Sequence, residues 1–166
     1  RIKWPNDIVI DNKKIAGILI DSSISNNNID YIVIGIGINI VVDILKINLF
    51  LTSSDRLSQK VTSLQNEVKE IRIDRFILLK QILEKIEYYV FLVQNRTDYT
   101  KIIKLYKKLC NTLGKSIYVY GKDIKEFSAI AKDIDLDGGL ILKKENEIIE
   151  KIYCGEISIR EIEKEK

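Results

Sequence analysis

Residues 29–34, Ile29-Asp30-Tyr31-Ile32-Val33-Ile34, are apolar at nearly every position. A short run of this kind reads as a strand buried on both faces. Two further runs precede it, Ile8–Ile10 and Ile15–Asp21. The polar turn 11–14 separates them, and its Asn12 tolerates tight-turn backbone. Gly17, inside the second run, marks a place where another backbone or a ligand comes close. A polar loop over 22–28 leads into the third run. The first forty residues therefore predict a meander of three strands.

Beyond Gly35-Ile36-Gly37-Ile38-Asn39 the pattern is irregular to about Thr52, and Thr62-Ser63-Leu64 falls in a polar connection. Asp74 is a plausible N-cap for a helix over 75–93, with Phe76, Leu79, Leu83, Ile86 and Val90 at helical spacing. A second helix is expected over 97–109, with Ile102, Leu105, Tyr106 and Leu109 on one face. After Leu113-Gly114 the period changes to two. Residues 116–120, 125–134, 139–142, 147–153 and 156–159 read as short strands, punctuated by Gly121, Asp137-Gly138-Gly139 and Gly155. They predict a small β-barrel with little core of its own, beginning near residues 111–114.

Apolar residues form 46% of the 166 and charged residues 31%, a globular rather than a disordered balance. A net charge of +3 is too weak to argue for a nucleic-acid partner. With no His and only Cys110 and Cys154, the common zinc spacings and His-dependent triads are excluded. Two reduced thiols are the favoured reading over a disulfide. No apolar run approaches ~20 residues and no signal-peptide pattern is present, so the cytoplasm is the default compartment. The chain opens on Arg1 inside a dense motif and contains no Met, which reads as a fragment lacking its N-terminal part or as a chain translated from a truncated gene.

That motif is Lys3-Trp4-Pro5-Asn6-Asp7, followed by Lys13-Lys14-Ile15-Ala16-Gly17-Ile18-Leu19. An isolated turn lysine is usually a solvated one. Two lysines framing one hairpin, with Gly17 just beyond, offer the positive charge and close backbone approach that phosphate needs. Trp4 reads equally as a core or pocket-wall aromatic and as a stacking platform. The glycines read either as strand packing and tight turns or as room for a ligand.

Lys3-Trp4-Pro5-Asn6-Asp7, a hairpin and Lys14-Ile15-Ala16-Gly17-Ile18-Leu19 together resemble the central signature of biotin protein ligases. Gly35-Ile36-Gly37-Ile38-Asn39, Val61-Thr62-Ser63-Leu64 and Gly155-Glu156-Ile157-Ser158-Ile159-Arg160 resemble three further motifs of that family, in its order. Lipoate ligases share the Asn-Asp and a lysine; Trp4-Pro5 and the C-terminal Gly-Glu-Ile-Ser favour the biotin branch.

The resemblance implies an α+β fold: part of a mixed-sheet catalytic domain like that of class II aminoacyl-tRNA synthetases (residues 1–112), then an SH3-like barrel (113–166). It implies ATP-dependent activation of biotin to biotinyl-5′-AMP, with Mg2+. Transfer would follow to a lysine of a biotin carboxyl carrier domain, of acetyl-CoA carboxylase or a related carboxylase. Lys14 and Lys3 match phosphate-side lysines. Gly17, Gly35, Gly37, Asn6 and Asn39 match biotin- or adenylate-binding positions. Asp7 matches a position that holds the loop or places Mg2+. Glu156 and Arg160 match barrel positions linked to ATP, with Lys115 a further candidate. Asp21 and Val41-Val42 depart from the family's Glu and Asn. The family's Gly- and Arg-rich closing loop, its first biotin-contacting strands and any N-terminal DNA-binding domain are not encoded in these residues. The rival reading is a catalytically incomplete fragment that at most binds nucleotide or a partner. A nucleic-acid role for the barrel is disfavoured by the low charge. Neither a membrane nor a nucleic acid is expected as partner, and a homodimer through sheet edges is compatible with the family.

Overall fold

The computed structural model describes residues 1–26, 28–43, 61–70, 72–95, 99–121, 125–153 and 157–161. The chain divides into two compact units, residues 6–84 and residues 1–5 with 85–166. The architecture is α+β, with antiparallel sheets and helices.

In the first unit, β2 (Asp7–Ile10), β3 (Lys13–Ser25) and β4 (Asn28–Ile38) lie side by side in that order, antiparallel. The β2–β3 turn is two residues long, and Asp11 (φ 48°) and Asn12 (φ 61°) both sit in the left-handed region. This is the backbone a two-residue hairpin needs, and Asp and Asn tolerate it well. The three predicted strands are present, and β3 and β4 run longer than expected.

The predicted burial of 29–34 on both faces does not hold. Ile29 is 62% exposed and Val33 56%. Apolar patterning reports what a strand would gain from cover; it does not supply the cover, and the described residues leave this stretch open. The segment 61–64 opens a helical turn, α1 (Leu64–Glu67), rather than a plain connection.

The helix α2 (Arg75–Gln94) follows Asp74, whose Oδ1 accepts the backbone N–H groups of Phe76 (2.8 Å) and Ile77 (3.1 Å), the expected N-cap. Its better-covered residues are Leu78, Ile82, Ile86 and Leu92; of the predicted stripe only Ile86 is among them, and Phe76, Leu79, Leu83 and Val90 are exposed. The helix α3 (Tyr99–Leu109) buries Ile103, flanked by half-buried Ile102, Tyr106 and Lys107. Leu105 and Leu109, predicted on the packed face, are exposed. Buried Cys110 caps that face one turn beyond Tyr106 and carries a free thiol. The predicted start of this helix and Cys154 lie outside the described residues.

In the second unit β5 (Ser116–Gly121), β6 (Phe127–Ile134), β7 (Leu140–Lys144), β8 (Ile149–Ile152) and β9 (Ile157–Glu161) form an SH3-like sheet of order β8-β7-β6-β5-β9. Alternation buries Ile117 and Val119 on β5 and Ala129 and Ala131 on β6. Lys132 is then an extra residue, because Ala131 pairs with Leu142 and Asp133 with Ile141. One inserted residue resets the phase of a strand, so Ile134 points inward as well. With Leu140, Leu142 and Ile152 these side chains make a closed core, fuller than the sequence suggested.

The N-terminal residues belong to this core. Trp4 is 3% exposed and belongs to the buried cluster that includes Ile117, Val119 and Leu140. Its backbone N–H donates to Thr112 Oγ1 (3.0 Å) and its indole N–H to the Gly138 carbonyl (3.2 Å). Tyr106 donates its hydroxyl to the Pro5 carbonyl at 2.8 Å. Of the two readings left open for Trp4, the core one holds. A buried indole needs a partner for its N–H, and Gly138 supplies it.

Candidate active site

β2 and β3 place Asp7 opposite Gly17 and Ile8 opposite Ala16, but Val9 then pairs with Lys14. Ile15 is therefore a bulged residue on β3. In an unbroken strand, residues 14 and 17 face opposite sides of the sheet. The bulge turns Lys14 onto the side of Gly17 and Asp7. There its Nζ lies 2.5 Å from Asp7 Oδ1, with the two side chains 30% and 14% exposed.

The bulged backbone is held from behind. Asn39 donates its N–H to the Ile15 carbonyl (2.8 Å), and Thr62 donates its N–H to the Lys14 carbonyl (2.9 Å). The Asn39 amide Nδ2 reaches the carbonyls of Thr62 (3.1 Å) and Lys14 (3.4 Å). Ser63, fully buried, caps α1 by accepting the Asn66 N–H on its hydroxyl. Thr62, also buried, donates to Glu67 Oε1 at 2.6 Å.

β3 and β4 then set Gly17 against Gly37 and Leu19 against Gly35. None of these glycines has a left-handed backbone, and a Cβ at Gly35 or Gly37 would meet only ordinary contacts, the nearest at 3.7 and 3.9 Å. Neither turn geometry nor packing within the unit requires glycine there. The strip they form opens an unobstructed path to the backbone. Gly17 differs: a Cβ there would lie 3.0 Å from Lys14 Nζ, 3.1 Å from its Cε and 3.3 Å from Asp7 Oδ1.

These residues line one open pocket of about 680 Å³, walled by Asn6, Asp7, Lys14, Gly17, Gly35, Gly37 and Asn39, with Leu19 on the same face of the sheet. The volume suits a small ligand, and a charged end beside a strip of bare backbone suits one with a charged head and a body that meets backbone groups directly. Asn6 closes its near rim, donating from Nδ2 to the Ile18 carbonyl (2.5 Å) while its own carbonyl accepts the Ile18 N–H (3.0 Å).

The pocket thus gathers Lys14, Asp7, Asn6, Gly17, Gly35, Gly37 and Asn39 from the sequence-derived set. Lys3 belongs to the other compact unit, half-buried on β1 (Ile2–Lys3). Glu156 lies outside the described residues. Arg160 is on β9, paired through its backbone with Tyr118, and its side chain is outside the description. Lys115 is engaged by Glu161 at 2.8 Å. Sequence reading missed the pairing of Asp7 with Lys14, which depends on the bulge, and the clip that Asn39 and Thr62 form behind it. Among the described residues no group of three or more acidic or thiol side chains could hold a metal ion.

A separate charged cluster lies on the SH3-like sheet. Lys151 Nζ sits 2.7 Å from both Asp135 Oδ2 and Asp137 Oδ2, and the Tyr153 hydroxyl donates to Asp137 at 2.8 Å. The ammonium of Lys151, then the Gly139 N–H and the Tyr153 hydroxyl, pull the Asp137 carboxyl down to about 2. The two carboxylates, Asp135 first, push Lys151 up from its ordinary value.

Residues 1–39 match the model of the biotin/lipoate A/B protein ligase family, and residues 112–160 match the biotin protein ligase C-terminal domain. The bifunctional ligase/repressor BirA of Salmonella typhimurium is 29% identical over 98% of this chain and 47% of its own length. BirA of Bacillus subtilis is 32% identical over 95% and 46%. The chain spans about half the length of these relatives. Among solved structures, the apo biotin protein ligase of Aquifex aeolicus superposes with a TM-score of 0.75 at 22% identity, covering 97% of this chain and 65% of that one. The same enzyme in complex with biotin and ATP gives 0.72, covering 97% and 62%.

Proposed function

Because this chain belongs to the biotin protein ligase family, we propose that it supplies part of an active site that joins biotin to AMP and passes biotin to a carrier-protein lysine. The observation that carries this reading is the ammonium of Lys14, fixed at one end of a pocket whose other wall is the Gly17–Gly37 strip. A free carboxylate is a poor acyl donor, so it is first coupled to a phosphoryl group. Attack of the biotin carboxylate on the α-phosphorus of ATP forms the new C–O–P linkage and expels pyrophosphate. Negative charge grows on the α-phosphoryl oxygens as this happens, and a preorganised ammonium lowers the energy of that arrangement. The biotin rings would lie along the Cβ-free strip, where their ureido group meets backbone N–H and C=O groups directly. The acceptor lysine of a carboxyl carrier domain then attacks the mixed anhydride and AMP leaves.

In this reading Mg2+ arrives on the triphosphate, which is how this cation usually enters nucleotide sites. The donor set agrees: the one pocket carboxylate among the described residues, Asp7, faces Lys14. Lys3, Glu156 and Arg160 are assigned to the nucleotide from their motifs alone. The segment 1–112 is read as catalytic and 113–166 as the SH3-like domain. No described helix is long and apolar enough to cross a membrane.

Biotin-dependent exchange of labelled pyrophosphate into ATP tests the proposal in the full-length protein. Lys14→Ala is expected to lower exchange by ~10²–10³, the usual effect of losing one preorganised charge-stabilising group. Exchange at the parent rate in that variant would remove Lys14 from the chemistry. The second reading, binding without turnover by residues 1–166 alone, is favoured by the open apolar stretch of β3 and β4. Measurable exchange by these residues alone refutes it.

A further inference from the structure

The close pairing of Asp7 with Lys14 reassigns two residues of the pocket. A carboxylate that helps place a metal ion would be expected to face the phosphate space. Asp7 instead faces Nζ of Lys14, as the cross-strand partner of Gly17 on the same side of the sheet. Gly17 in turn is the one pocket glycine whose missing Cβ is already used. The tip of Lys14 lies close against the place where that Cβ would stand, 3.0 Å away, and Asp7 Oδ1 borders it. Gly35 and Gly37 have no such tenant.

The three residues therefore form one device. The bulge at Ile15 aims the lysine, Asp7 fixes its far end, and the bare Cα of Gly17 provides the seat. A lysine side chain has four rotatable bonds, and an ammonium left to wander over them must be re-ordered each time a phosphoryl group arrives. Pairing with Asp7 over Gly17 removes that step in advance. An alanine at 17 would not break the fold, because the atoms it meets are the flexible end of Lys14. It would push that end aside by a few tenths of an ångström and away from its carboxylate.

We propose that Asp7 and Gly17 are positioning residues for Lys14, and that neither acts on the reaction except through that amine. The statement rests on the ligase reading and deepens it: the pocket's only carboxylate among the described residues orients the catalytic cation and is not a metal ligand.

Two measurements on the full-length protein test this. The first needs no turnover. In competitive trace labelling with acetic anhydride, read by peptide mass spectrometry, Lys14 should label severalfold faster in Asp7→Asn and in Gly17→Ala than in the parent. Lys13, which faces Glu67 at 3.9 Å, serves as internal reference. An unchanged Lys14 to Lys13 ratio overturns the proposal.

The second is a double-mutant cycle in pyrophosphate exchange. Asp7→Asn and Gly17→Ala should each lower kcat about tenfold, with KM for biotin and for ATP moving less than about threefold, and Asp7→Glu should recover part of the loss. In a Lys14→Gln background neither should lower kcat by more than about twofold, as residues acting through one group are not additive. A further tenfold loss from Asp7→Asn in that background means the carboxylate acts directly, and overturns the proposal. A parent protein with no biotin-dependent exchange is a failure of the ligase reading instead, and the labelling ratio then decides the role of the pair.

Discussion

Asn39 donates from Nδ2 to the carbonyl oxygen of Thr62 at 3.1 Å, and so fastens the end of β4 to the residue that precedes the Ser63 cap. The same amide reaches the Lys14 carbonyl, so one side chain braces the bulge on which the pocket lysine stands. Replacing it with Leu removes this donor from the Thr62 carbonyl and leaves the Lys14 carbonyl with the Thr62 N–H, and is expected to destabilise the fold by ~1–3 kcal/mol. Asn39→Asp should be worse, because it aims a carboxylate at those same oxygens. Urea unfolding measures both; a Leu variant within about 0.5 kcal/mol of the parent would show the brace to be idle.

Gly37 separates folding from binding. Its Cβ space is empty apart from the Gly17 carbonyl at 3.9 Å, and its backbone is extended. Alanine there restricts the unfolded chain and is expected to stabilise by ~0.4–1 kcal/mol. The added methyl projects into the volume assigned to biotin, so affinity for biotin should fall at least tenfold, about 1.4 kcal/mol. Calorimetric titration beside thermal unfolding reads the two opposite signs. Unchanged biotin affinity would return this glycine to a packing role.

Trp4 should behave as a core residue despite standing in the signature motif. Trp4→Ala removes a buried indole from the cluster that includes Ile117, Val119 and Leu140 and is expected to destabilise by ~3–5 kcal/mol. Trp4→Phe retains most of the apolar contact but leaves the Gly138 carbonyl without its indole donor, for a smaller loss of ~1–3 kcal/mol. Denaturant unfolding compares the two. A Trp4→Ala protein of parental stability contradicts the assignment.

Acid should weaken the SH3-like sheet through Asp137. Its carboxyl is held at about 2 in the folded chain, against an ordinary 3.8. A depressed carboxyl contributes stability that is complete above its unfolded value and is lost as pH falls through the folded one. The melting temperature of the parent should therefore drop between pH 4 and 2 more steeply than that of Asp137→Asn, and the two should converge below pH 2. Lys151, raised by the same contacts, has the opposite sense: its contribution is complete below 10.5 and fades only as pH climbs beyond that. Parallel acid limbs for parent and Asp137→Asn would show that the cluster is indifferent to folding.

Local rules made much of this legible. Asn12 announced the tight turn, Asp74 its helix, and the alternation of 116–134 its strands, because each depends on neighbours within a few residues. The glycines of the pocket were found from their motif. Faces were harder. The apolar spacing of α3 fits two overlapping stripes, and only tertiary packing selects Ile103, Tyr106 and Cys110 over Leu105 and Leu109, with Tyr106 and Cys110 joining the core of the second unit. The exposure of Ile32 and Val33 could not be read at all, since a strand that is apolar on both sides looks the same with or without its cover. Two bulges, at Ile15 and Lys132, were invisible for a related reason: each is one extra residue whose presence is defined only by the partner strand. The pairing of Asp7 with Lys14 follows from the first of them and was hidden with it.

Trp4 lies in one compact unit and Asn6 begins the other, so five consecutive letters of sequence serve two separate tasks. Alleles in this stretch should sort accordingly. A lesion at position 4 would give a heat-labile product whose surviving molecules work normally. One at position 7 would give a thermally sound product that turns over poorly at every temperature. Inactivity from a change in this signature is therefore no measure, by itself, of damage to the chemistry.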